Sequence, residues 1–100
     1  MSVRFTAIAA ALCATALSAA HAQTAEPFKI AFIDPLSGPF ANVGELMRNH
    51  VLYAVDDVNA KGGLYNGAKF QMLQFDSKLS AQESQSALQA AIDQGARVVV

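Results

Sequence analysis

The sequence predicts an α/β fold in which a parallel sheet carries helices on both faces, in the order β-α-β-α-β. Three observations predict it. Apolar strand-like runs begin near residues 28, 68 and 96, helical apolar periodicity fills the two intervals between them, and turn residues stand at the changeovers. Crossovers between such parallel strands are right-handed, so this order limits the topology to few choices.

The 100 residues hold at most one small domain. Residues 1–4 are a short basic start, residues 5–19 are apolar or small, and Ala20-His21-Ala22 is an A-x-A cleavage site. This pattern predicts a secretory signal peptide over residues 1–22, because the apolar run is too short for a membrane span and no basic stop follows it. Cys13, the single cysteine, leaves with that segment. The expected mature chain therefore has no disulfide, thiolate metal site or cysteine nucleophile. Loss of Arg4 takes the formal charge from −1 to −2, which gives no electrostatic reason to bind nucleic acid or an anionic membrane.

After a polar lead-in over 23–27, "FKIAFI" is apolar except for Lys29 and reads as a strand covered on both faces. Val43, Met47, Val51, Ala54 and Val58, joined by Leu46 and Val55, recur at helical spacing and predict an amphipathic helix from 42 to about 60. Asn42 and Glu45 are the expected capping pair at its start, and Lys61-Gly62-Gly63 its stop. "AKFQMLQFD" carries apolar residues in both phases, as a strand buried on two faces does. Ser80 and Glu83 form an S-x-x-E capping box before Ala87, Leu88, Ala91 and Ile92, Gly95 closes that helix, and "ARVVV" opens a third strand.

In open α/β sheets, ligands collect beyond the carboxyl ends of the strands, where successive crossovers turn to opposite sides. A central first strand places the loop "DPLSGPFANVG" at that crevice. Its composition suits a ligand wall: Pro35 and Pro39 fix backbone torsions, Gly38 permits close approach, Ser37 offers a hydroxyl, and the following helix start favours an anionic group. A tight connection shaped by Pro and Gly has the same composition, so loop chemistry alone leaves both readings open.

Other chemistries find little support. Asp56 and Asp57 diverge by about 100° around a helix and read as a solvated face. His21 and His50 are isolated, and no set of converging metal ligands is visible. Asp34 and Asp76 end the first two strands, but "DPLSGP" lacks the G-x-G-x-x-G spacing that brings a backbone against pyrophosphate. No G-x-S-x-G elbow is present. No catalytic residue, metal or cofactor is expected.

Three stretches, "FKIAFIDPLSGPFANVGE", "AVDDVNAKGGLYNGAKFQMLQFDSK" and "QSALQAAIDQGARVVV", together resemble the amino-terminal part of the periplasmic substrate-binding proteins of branched-chain amino acid ABC transporters. The order and spacing of the S-G-P loop, the N-A-K-G-G helix end and the aspartate after the second strand carry the likeness. The resemblance implies a two-lobed, hinge-closing receptor, of which residues 23–100 are an incomplete amino-terminal lobe, not an enzyme. It also implies a periplasmic location, an amino acid as ligand and a membrane permease as partner, with no stable membrane insertion after cleavage.

By the same resemblance Ser37, Gly38, Asn42, Val43 and Gly44 face the cleft. Val43 stands where leucine-type binders carry a tyrosine that lines the side-chain pocket, and it can neither stack nor donate a hydroxyl. The main ligands for the α-carboxylate and ammonium follow the third and fourth strands, beyond Val100. Relatives that bind amides, urea or aromatic acids, and sensory ectodomains of the same fold, are the alternative readings. The isolated stretch is expected to be poorly stable and not to bind amino acid.

Overall fold

The apolar run after Pro27 forms strand β1 (Phe28–Asp34), and a 3₁₀ turn (Gly38–Phe40) leads into helix α1 (Ala41–Ala60). Strand β2 (Phe70–Asp76), helix α2 (Ala81–Asp93) and strand β3 (Val98–Val99) follow. The computed structural model describes residues 25–100. The expected signal peptide, its cleavage site at Ala22, Cys13 and His21 lie outside them.

The sheet is parallel, in the order β2-β1-β3. Phe28 lies opposite Phe70 and Asp34 opposite Asp76, so β1 and β2 end level; on the other side Ile30 lies opposite Val98. Backbone bonds lengthen the short third strand at both ends, with the Arg97 amide donating to Lys29 O at 2.9 Å and the Val100 amide to Ala31 O at 2.8 Å. Because β1 is central, the first crossover leaves it to one side and the second returns past it to the other, which places a topological switch point at its carboxyl end.

Period-two alternation assigns a helix to each face. Ile30, Phe70, Val98 and Val100 share the face that meets α1 through Val51, Ala54, Val55 and Val58, around an apolar groove of about 380 Å³. Lys29 points to the other face, where its Nζ donates to Gln94 O at 2.8 Å just beyond α2. Ala31 and Ala91 are fully buried, and Phe32 is nearly so. Small side chains let α2 approach closely, while burial of Phe32 contributes about 1.5–3 kcal/mol. The α/β class, the parallel sheet and the helices on both faces are as the sequence predicts.

Two details of α1 differ from expectation. The helix starts at Ala41 with Phe40 as its N-cap and without a side-chain cap. Pro39 sits at the start of the preceding 3₁₀ turn, where its fixed torsion begins the helical path early. Asn42 is therefore already inside the first turn, and Glu45 pairs with Arg48 at 3.2 Å instead of capping.

The buried stripe is also displaced. Gly44 and Val55 are the buried residues of α1, whereas Val43, Leu46 and Met47 are about half exposed. A Cβ at Gly44 would overlap the Pro35 carbonyl, so the helix meets the loop through the one position that has no side chain. Val43 and Met47 flank that contact. By contrast, the Ser80 cap of α2 forms as expected, its Oγ accepting from the Glu83 amide at 3.3 Å.

Candidate functional site

The loop from Pro35 to Phe40 leaves the carboxyl end of the central strand. Ser37 is extended, and Gly38 turns the chain with φ +75°, a left-handed conformation that glycine adopts freely. The Ser37 side chain accepts no capping bond from the turn it precedes, and Phe40 has no side-chain acceptor to cap α1. The loop is instead tied to the sheet from β2: the Leu36 amide donates to Asp76 Oδ1 at 2.9 Å.

The same oxygen accepts from the Lys78 amide at 2.9 Å, closing a turn after β2 in which Lys78 and Leu79 have φ of 51° and 54°. Such torsions cost a non-glycine residue about 1–2 kcal/mol. The Ser37 hydroxyl, then the Leu36 and Lys78 amides, and last the Lys78 charge hold the Asp76 carboxyl below its ordinary pKa against a smaller opposing effect of desolvation. Asp76 thus stays ionised at neutral pH. Its neighbour Ser77 is buried and continues the ladder, donating from its amide to Asp34 O at 3.0 Å.

Of the five residues expected at the cleft, Ser37, Gly38, Asn42 and Val43 are exposed around this end of β1. Val43 is 56% exposed. Gly44 is buried beneath them against Pro35. The loop offers a hydroxyl, backbone amides and one small apolar side chain, which suits reversible hydrogen bonding to a small polar solute. Among the described residues, no three His, Cys, Asp or Glu side chains converge. Asp57 pairs with Lys61 at 2.7 Å on the outer part of α1, and His50 borders the apolar groove.

The sequence of residues 27–100 matches the family model described as periplasmic binding protein. The chain belongs to the periplasmic binding protein family. Among its curated relatives, the Leu/Ile/Val-binding protein homolog 4 of Brucella abortus is 40% identical over 90 residues, covering 90% of this chain and 21% of the relative. The leucine-, isoleucine-, valine-, threonine- and alanine-binding protein of Pseudomonas aeruginosa is 29% identical over 82 residues, covering 82% of this chain and 22% of the relative. The Leu/Ile/Val-binding protein of Escherichia coli is 29% identical over 85 residues, covering 85% and 23%. The chain spans about a fifth of the length of these periplasmic binding proteins.

The place of the loop in this binding-protein chain is legible in the sequence, but what ties it to β2 is not. Asp76 has a local signal, since an aspartate ending a strand commonly bonds the amide two residues on. Its bond to Leu36, 40 residues earlier, has no signature in the sequence. Asn59 likewise carries no such signature, although its side chain bonds both backbone groups of Phe70.

Proposed function

We propose that this chain is part of an extracytoplasmic solute-binding protein that delivers branched-chain or related amino acids to the permease of an ABC importer. In this reading residues 1–22 are a cleaved signal peptide, and residues 23–100 are an incomplete amino-terminal lobe in the periplasm. Ser37, Gly38, Asn42, Val43 and Gly44 form one wall of the cleft, Gly44 through its backbone. The protein binds and releases its solute without chemical change and needs no cofactor or metal.

The observation that carries this reading is the 40% identity over 90% of the chain with a protein named as a homolog of the Leu/Ile/Val-binding protein. The geometry supports it, since the exposed loop residues stand at the switch point of the sheet, where α/β folds receive ligands. Thermal-shift measurement of the complete gene product tests it. Leucine, isoleucine, valine, threonine or alanine is expected to raise the melting midpoint, because a ligand that binds only the folded state stabilises it by mass action. A midpoint unmoved by these, but raised by amides, urea or aromatic acids, would reassign the solute. A midpoint unmoved by any of them would overturn the uptake reading.

A further inference from the structure

Among the described residues, Asp76 supplies the only side-chain hydrogen bond to the backbone of residues 35–40. Among the described residues the loop makes no backbone bond to the sheet along that stretch, and its own turn is closed by the Ala41 amide donating to Gly38 O. Prolines at both ends stiffen the loop internally, but they do not fix where it stands over β1. Asp76 Oδ1 does that from the β2 side, beside the packing of Pro35 on Gly44, and it simultaneously closes the left-handed turn at Lys78 and Leu79. One carboxylate therefore links the two loops at this end of the β1–β2 pair.

We propose that Asp76 is a positioning residue for solute recognition, its Oδ1 locking the loop after β1 to the turn after β2 and so presetting the wall formed by Ser37 and Gly38. This rests on the reading of that loop as a ligand wall. Asp76 itself need not touch the solute. Its Oδ1 is taken up by the amides of Leu36 and Lys78. The charged groups around it are Lys78, from the following turn, and Asp34, its register partner on β1; Glu45 and Arg48 of α1 pair with each other.

A loop released from this bond populates its binding shape for only a fraction of the time, and affinity falls by that fraction. In the complete gene product, Asp76→Ala is expected to weaken binding of leucine, isoleucine and valine about tenfold by calorimetry, if the loop is then competent about a tenth of the time. Asp76→Asn, which keeps an acceptor of the same shape but loses the charge, should lie between. Hydrogen exchange at the Leu36 amide should accelerate in Asp76→Ala while that of Phe32, within β1, stays unchanged.

In the unaltered protein, the Leu36 and Lys78 amide resonances should shift together as acid protonates Asp76. An affinity within twofold of the unaltered protein in folded Asp76→Ala would overturn the proposal. If that variant does not fold, Asp76→Asn and the acid titration decide, and a Leu36 resonance indifferent to pH through the carboxylate range overturns it. Failure of the unaltered protein to bind any of the three amino acids would sink the solute reading instead. The locking is then decided by Leu36 exchange alone, acceleration supporting it and an unchanged rate overturning it.

Discussion

Asn59, the penultimate residue of α1, brackets the backbone of Phe70 at the start of β2: its Oδ1 accepts from the Phe70 amide at 2.8 Å, and its Nδ2 donates to the Phe70 carbonyl at 2.9 Å. β2 is an edge strand in this sheet, and its first residue has its outward backbone groups occupied by a side chain in place of a neighbouring strand. The helix end is thereby fixed to the strand it feeds, across the turn 61–69. Lys69 adds a second tie, its Nζ donating to Asn59 O at 2.8 Å.

Asn59→Ala removes both bonds and leaves two half-buried backbone groups without their partner. The expected loss is about 1–3 kcal/mol, the usual cost of unsatisfied buried polar groups. Asn59→Asp, which keeps the acceptor but sets a carboxylate oxygen against the Phe70 carbonyl, should also destabilise. Urea unfolding of the complete gene product would check this, and an unchanged midpoint for Asn59→Ala would show that water replaces the bracket at no cost.

Gly44→Ala decides between two opposed effects by its sign. Glycine inside a helix costs about 1 kcal/mol relative to alanine, so an indifferent Gly44 would make the substitution stabilising. A Cβ there overlaps the Pro35 carbonyl, which is backbone and cannot swing aside. The expected result is net destabilisation, with displacement of the loop that bears Ser37. A raised melting temperature would contradict the close contact.

Asp76 makes stability depend on acid. Its folded pKa is depressed, with the Ser37 hydroxyl as the largest cause. The stabilisation is therefore fully present above the unfolded pKa and is lost as pH falls through the folded value, which lies lower still. Urea midpoints of the unaltered protein and of Asp76→Asn should differ at pH 7 and converge as acid protonates the carboxylate. Parallel curves down to pH 2 would show that the carboxylate carries no such linkage.

Residues 23–100 produced alone should melt without cooperativity and bind a hydrophobic dye. No large side chain among the described residues is fully buried, Val98, Val99 and Val100 are about half exposed along one sheet edge, and the groove beside α1 is open. An uncovered apolar edge of this kind favours association between chains. No response to amino acids is expected from this piece. A cooperative melt with a ligand-dependent rise in midpoint would overturn the expectation.

Element type was legible because periodicity and stop signals agree along the chain. Apolar residues in both phases mark β2, the S-x-x-E box marks the start of α2, and the glycines after Lys61 and after Gln94 mark both helix ends. The start and burial of α1 were less legible. An Asn-x-x-Glu spacing reads as a cap, yet Pro39 had already begun the helical path, and the hydrophobic count favoured Val43 and Met47 over Gly44. A close backbone contact leaves no mark in a pattern built from side-chain hydropathy. The loop's place was readable from strand order, but its anchoring was not, because Asp76 to Leu36 is a long-range bond chosen by register.

Val43 is the residue through which solute preference should be adjustable. It is 56% exposed on the first turn of α1, outside the contact between Gly44 and Pro35, so a larger side chain there displaces nothing in the core. The resemblance to leucine-type binders implies a tyrosine at the matching place in those proteins. Val43→Tyr should therefore leave the melting temperature nearly unchanged while altering the ratio of affinities for leucine and alanine by about tenfold, the scale on which pockets distinguish aliphatic side chains. Calorimetry of the complete gene product with both amino acids reads that ratio directly. An unchanged ratio would place Val43 outside the side-chain pocket and leave Ser37 and Gly38 as the proposed wall on this side of the cleft.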